Sequence, residues 1–232
     1  MFKKLFFIVC IVCSLLVIAG CQSDQIPDVD PKDVRLNTLS TNGFIIRQGN
    51  DSVFNASVVL KNTGKVPVLI KNIKLDIKSG NGAHLGSVPT IPTPVILQPG
   101  ETSIAGGTAS SKQILSDSDF GKVSVKVDYE PTSRERSEWK ISHVQGRQTP
   151  YGYIVTGKVT NMMKQKSESV LITVGLFNEN NYILAALTTL VSGPINPGAT
   201  VNFQTTDYIH IPQHILDKVH HIEAKAIGFK TE

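Results

Sequence analysis

The feature that most restricts what this chain can fold into is a duplicated run of alternating apolar and polar residues. Phe54-Asn-Ala-Ser-Val-Val-Leu-Lys-Asn62 falls on Tyr153-Ile-Val-Thr-Gly-Lys-Val-Thr-Asn161 when the sequence is shifted by about 99 residues. Successive side chains of a strand point to opposite faces, so a period of two marks a half-buried strand. Each run ends in Asn and a polar turn, Thr63-Gly64-Lys65 in the first copy and Met162-Met163-Lys164-Gln165-Lys166 in the second. Asn62 and Asn161 read as turn residues whose side chains bond nearby backbone.

The order of features then repeats. A second alternating strand follows, Val68 to Ile77 and Val170 to Phe177. Leu97-Gln98-Pro99-Gly100-Glu101-Thr102 matches Ile195-Asn196-Pro197-Gly198-Ala199-Thr200, where Pro fixes φ and Gly accepts a positive φ in a turn between strands. A short Ile-Leu element comes next, Gln113 to Ser116 and His214 to Asp217, and each copy closes on a strand, Val123 to Tyr129 and Ile222 to Phe229. Neither copy carries a long helical period. The expected fold class is all-β, with two tandem immunoglobulin-like antiparallel β-sandwiches. The expected boundaries are residues 34–130 for the first sandwich, 131–138 for a polar linker and 139–232 for the second.

The N-terminus reads as an address. Lys3 and Lys4 form a positive n-region, and Leu5 to Ala19 run without a charge. That stretch has signal-peptide length and falls short of the roughly 20 apolar residues of a membrane span. Ile18-Ala19-Gly20-Cys21 follows and resembles the bacterial lipobox, with small residues beside the cut between Gly20 and Cys21 and a thiol to accept diacylglycerol. Residues 1–20 are therefore expected to be a lipoprotein signal peptide. Residues 21–33 would be the lipidated Cys21 and a polar, proline-bearing tether. Two acyl chains hold a protein to a bilayer where one is marginal.

The other two cysteines, Cys10 and Cys13, lie in the segment removed, so the mature chain has no internal disulfide and stands on its apolar cores. Lys3 and Lys4 leave as well, so 23 basic residues become 21 against 19 acidic ones. Such a balance speaks against a nucleic-acid partner and only weakly for anionic surfaces.

In the second copy Trp139-Lys-Ile-Ser-His-Val-Gln145 and Tyr151-Gly-Tyr-Ile-Val-Thr-Gly-Lys-Val-Thr-Asn161 resemble the opening of FxLYD-type domains of bacterial surface proteins and lipoproteins. Val174-Gly175-Leu176-Phe177-Asn178 would be the name-giving strand. It keeps Leu, has Phe for Tyr, and departs at Val for Phe and Asn for Asp. The resemblance covers Trp139 to Glu232, and Ile73 to Ile77 occupies the equivalent strand of the first copy. It implies an extracellular immunoglobulin-like module and brings no catalytic residues.

Candidate chemistry is sparse. Five of the six histidines lie in the second copy, and His210, His214, His220 and His221 crowd its end. Metal ligands must converge within about 2 Å of one point; Pro212 interrupts the first pair, and His220 and His221 are expected on opposite faces of a strand. Asp117-Ser118-Asp119 lacks the remaining positions of a calcium loop and reads as a turn or cap. Trp139, Tyr151 and Tyr153 read as core and interdomain packing, or as a partner patch. Gly80 to His84 and Ile104 to Thr108 look like loops. There is no Gly-x-Ser-x-Gly, His-Glu-x-x-His, P-loop or Rossmann glycine pattern.

The resulting expectation is a non-catalytic interaction or accessory module of the cell envelope. It has no cofactor beyond the lipid on Cys21, is anchored on the extracytoplasmic face of a Gram-positive cell membrane, and meets an envelope protein or polymer. The alternatives are a small-ligand or metal-binding surface lipoprotein and, further off, an envelope enzyme.

Overall fold

The structure, a computed structural model, describes residues 29–150, 152–206 and 211–229. Gly20 and Cys21, the signal peptide, Tyr151 and His210 lie outside the described residues. The fold is all-β with antiparallel sheets, and the expected strands are present.

The first half holds β1 (Leu36–Gln48), β2 (Asp51–Asn62), β3 (Val68–Ser79), β4 (His84–Val88), β5 (Ile96–Leu97), β6 (Thr102–Ser111) and β7 (Phe120–Pro131). The second holds β8 (Trp139–Thr149), β9 (Gly152–Asn161), β10 (Ser167–Phe177), β11 (Ile183–Ile195), β12 (Thr200–Thr206), a helical turn α1 (Gln213–Leu216) and β13 (His221–Phe229). Strand β3 pairs with β4, β5 and β7 to form sheet A, and β1-β2-β6 form sheet B. In the second half β11-β10-β13 form sheet C and β12-β9-β8 form sheet D. The pairings β1-β2-β6 and β4-β3-β7 thus return as β8-β9-β12 and β11-β10-β13. The duplication seen in sequence is a duplication of topology.

Asn62 and Asn161 show why the repeat is so exact in spacing. Both are fully buried. The Asn62 amide donates to the Val66 and Leu97 carbonyls at 2.8 and 2.9 Å and its oxygen accepts from Gly64 N. Asn161 donates to Gln165 and Ile195 at 2.9 and 2.8 Å and accepts from Met163 N. In both copies the backbone carbonyl of the same Asn takes the N–H of the turn glycine, Gly100 or Gly198, at 2.8 Å. Those glycines have φ of 84° and 73°, a region that L side chains rarely adopt. One side chain therefore ties the end of its own strand to the hairpin that follows and to the opposite sheet.

Sheets A and B enclose a core of Phe54, Val58, Leu60, Leu75, Ile77 and their neighbours. Sheets C and D enclose Val159, Ile172, Val174, Leu176 and Phe203. Each large apolar side chain so buried contributes about 1.5–3 kcal/mol. The alternation that builds these cores leaves a second face on β2 and β10, and that face is buried too. Val53, Asn55, Ser57 and Val59 of β2 and Thr173, Gly175 and Phe177 of β10 are all buried. Sheets B and C pack against each other, which makes one stack of four layers in the order A, B, C, D.

The contact between B and C is close and partly polar. Val59, Ile104, Phe177, Ile183 and Ala186 form its apolar centre. Thr93 Oγ1 and Thr173 Oγ1 share a buried hydrogen bond of 2.8 Å. Asn42 donates to the Leu184 carbonyl at 2.6 Å, and Ile183 N donates to Ser40 Oγ at 3.3 Å. Strand β11 meets β6, β2 and β1, so it crosses the strands of sheet B. Phe44 and Val53 of the first half join the core of the second.

The sequence reading assigned Ile104 to Thr108 to a loop; the structure corrects this. The segment is the middle of β6, and its glycines serve close approach. A Cβ on Gly106 would stand 2.5 Å from the Ala186 Cβ, and one on Gly107 would stand 2.6 Å from the Pro89 carbonyl oxygen. Gly80 to Ala83 do form the β3–β4 turn, and His84 opens β4.

The segment between β7 and β8 is held on both sides. Thr132 N donates to Pro67 O at 3.0 Å, Met162 N donates to Glu138 O at 3.1 Å, and Gly228 N donates to Ser137 Oγ at 3.4 Å. The end of the N-terminal tether is folded as well. Pro31–Asp33 form a single 3₁₀ turn, Lys65 N donates to Asp33 O, and the Lys65 ammonium lies 2.8 Å from the Asp33 carboxylate.

Candidate functional site

A cleft of about 720 Å³ lies where the connector, the β5–β6 turn and β13 meet. Glu101 sits in it as the hub. Its carboxylate accepts from Gln98 N at 2.9 Å and pairs with Arg136 of the connector. Burial pushes the Glu101 carboxyl up, but the Gln98 amide, then Arg136 and Lys225, outweigh it and hold the group below its ordinary range. Trp139, Ile141, Met162 and Ala224 line the apolar side. The two arginine–carboxylate partners satisfy one another, and Ser137 Oγ is engaged as an acceptor for Gly228 N. The arrangement ties the connector to both sandwiches.

A Ser-His-Asp set does occur, on the outer surface of sheet A. Asp76 is buried, and its Oδ1 accepts from Ser87 Oγ at 2.6 Å. Lys74 Nζ lies at 3.2 Å and His84 Nε2 at 3.4 Å from the same oxygen. The Ser87 hydrogen bond lowers the Asp76 pKa most; burial opposes it, and Lys74 and His84 add to the lowering. In a hydrolytic triad serine and carboxylate sit on opposite ring nitrogens. Here His84 Nε2 faces both, at 3.1 Å from Ser87 Oγ, and the serine proton goes to the carboxylate. The set is an electrostatic knot in which the histidine does not bridge serine and carboxylate as it does in a hydrolytic triad.

The histidines of the second half spread out. His143 sits in the bulge of β8 with φ of 54° beside a shallow groove of about 430 Å³ on sheet D. His214 lies in α1 with Nε2 3.8 Å from the Asp117 carboxylate of the first half. His221 stacks on Phe177 with ring centroids 5.0 Å apart. His220 precedes β13, where the sequence had placed it on the strand; its ring meets His221 edge-on. Among the described residues no group of three or more His, Cys, Asp or Glu side chains is placed to hold a metal ion. His210 lies outside them.

Asp117–Asp119 is the capped turn expected from its sequence, with Asp119 accepting from Ser116 N at 2.8 Å. Asp117 additionally accepts from Ile45 N at 3.3 Å. Trp139 and Tyr153 are half-buried against the second core, and burial pushes the Tyr153 phenol up. Glu101, Arg136 and Lys225 were not singled out from sequence, because they are 35 or more positions apart along the chain and only the fold brings them together.

No known family matches the chain when its sequence is compared with family profiles, and no curated protein is similar to it in sequence.

Proposed function

We propose that this protein is a bacterial lipoprotein held by lipid on Cys21 at the extracytoplasmic face of the cell membrane, where it acts as a non-catalytic interaction or accessory module. The observation that carries this reading is the sequence Ile18-Ala19-Gly20-Cys21 after a charged n-region and an uncharged apolar stretch. The described residues contain no cysteine, so both cores stand on apolar packing, and Cys21 is the one thiol left after cleavage before it. No helix among the described residues is long and apolar enough to cross a membrane.

The second sandwich, whose opening strands and Val174 to Asn178 resemble FxLYD-type domains, belongs with extracellular modules on this reading. The four-layer stack supports a presenting role. Lipid raises the effective concentration of the body at a surface, and locked sandwiches display loops and strand edges to an envelope protein or polymer at low entropic cost.

The test is metabolic labelling with palmitate and membrane fractionation of the wild type and Cys21→Ser. The wild type is expected to take up label and sediment with membranes, while the variant takes up none and keeps its signal peptide. Label on Cys21→Ser, or a wild type without label, refutes the anchor. Crosslinking in the native cell, with that variant as the unlipidated control, then identifies the partner.

A further inference from the structure

Sheet A is the outermost layer of the first sandwich, and the register of its strands collects positive charge on its free face. Lys74 lies directly opposite Lys126, and Lys78 opposite Lys122. Between these pairs lie Asp76 and Ser124, and Asn72 faces Asp128 beyond them. Leu75, Ile77, Val123, Val125 and Val127 point the other way, into the core. Like charges directly opposite on a sheet destabilise it, and this face carries two such pairs with one buried carboxylate between them.

Elsewhere among the described residues Lys65 pairs with Asp33, Lys71 with Glu130 and Lys166 with Glu168, and the lysines without a carboxylate partner are scattered and not set directly opposite one another. On this face Asp76 serves Lys74, and among the described residues Lys78, Lys122 and Lys126 have no carboxylate partner. The result is a surface on β3 and β7 with an uncompensated excess of ammonium groups.

We propose that this face of sheet A docks on the anionic headgroups of the membrane to which the chain is anchored. The inference rests on the lipid anchor at Cys21 for its biological setting, and two observations select a membrane. The first is charge complementarity, since lysines collected on one sheet face suit a layer of phosphates and each lysine near an anionic surface strengthens binding about fivefold. The second is reach. The chain is folded onto the first sandwich from Asp30 onward, and nine residues beyond Cys21 span at most about 30 Å. Layers stacked about 10 Å apart put sheet D about 30 Å from sheet A. The tether therefore favours the first sandwich as the membrane-proximal layer. Sheet D, whose outer face carries Ser142, Thr156, Lys158, Thr160, Asn202 and Gln204, then faces away from the bilayer. Docking thus sets orientation, with sheet A down and sheet D presented outward.

The test uses the unlipidated chain from Gln22 to Glu232, which contains all thirteen strands of the described residues, so its outcome does not depend on the anchor. Sedimentation with vesicles of phosphatidylcholine containing phosphatidylglycerol is compared with phosphatidylcholine alone. Binding is expected only with the anionic lipid and to weaken as salt rises. Replacing Lys74, Lys78, Lys122 and Lys126 by Gln is expected to reduce binding about thirtyfold or more, four lysines each worth about fivefold and partly screened. The same change at Lys140, Lys158, Lys164 and Lys218 removes the same net charge and is expected to reduce it less than threefold, about the non-specific effect of net charge. Because this chain has no cysteine, a dye on Ser124→Cys or on Asn202→Cys reports orientation, and a quencher in the bilayer should quench the first and spare the second. Equal loss in both lysine variants, equal quenching at both positions, or binding to soluble polyphosphate but not to anionic vesicles overturns the proposal.

Discussion

Gly106→Ala is the substitution that most directly probes the joining of the two sandwiches. A Cβ at this position would stand 2.5 Å from the Ala186 Cβ and 3.0 Å from the Ala56 carbonyl oxygen. Non-bonded carbons rest about 3.5–4.0 Å apart, so the methyl groups overlap by about 1 Å or more. Both lie on strands buried on two faces, and relief requires sheet B to move against sheet C. Overpacking of this kind costs about 1–3 kcal/mol. Ala186→Gly removes the opposing methyl and alone costs about 0.5–1 kcal/mol in backbone entropy plus a little lost burial. In the double variant the methyl–methyl clash is gone, and the milder contacts with the Ala56 carbonyl at 3.0 Å and the Ser57 Cβ at 3.3 Å persist. Equilibrium urea unfolding of the wild type, both single variants and the double variant should therefore give a favourable coupling of about 1–2 kcal/mol. If the single effects add to within about 0.5 kcal/mol, the two residues do not touch in solution and the four-layer stack is refuted.

Asn161→Ala removes three buried hydrogen bonds and leaves the Gln165 and Ile195 carbonyls without that donor; a loss of about 2–4 kcal/mol is expected, and Asn62→Ala should match it, both read as a lower urea midpoint. Asp76→Asn leaves Lys74 and Ser87 without their carboxylate and should cost about 1.5–3 kcal/mol, the range for hydrogen bonds to charged groups. The Asp76 pKa is lowered on folding, so its contribution is present above the ordinary carboxyl pKa and is lost as pH falls below about 4. The stability difference between wild type and Asp76→Asn should therefore shrink on acidification from pH 6 to pH 3, measured by thermal unfolding.

Much of the fold can be read from local pattern because a strand records in its own sequence which face is apolar. The alternation in Phe54 to Leu60 and in Tyr153 to Val159 identifies β2 and β9, and the Asn-turn and Pro-Gly pairs identify the hairpins that close each copy. The same logic fails at Ile104 to Thr108. Glycine is a turn signal to anyone who sees only its neighbours in sequence, yet Gly106 and Gly107 are needed where another backbone or methyl group comes close in space. It fails also on the second face of β2 and β10, where Asn55, Ser57 and Thr173 look like solvent-facing positions. Small polar side chains suit water and suit a close sheet-to-sheet contact equally well, so pattern alone does not distinguish the two.

By itself the sequence determined the class of fold, the duplication and the turn chemistry, because each of these depends on residues near one another along the chain. Tertiary structure alone decided that the copies lock face to face. It also joined Glu101, Arg136 and Lys225 around one cleft and set Lys74 against Lys126 and Lys78 against Lys122. Those juxtapositions depend on strand register and on the crossing of sheets B and C, which arise from contacts between residues tens of positions apart.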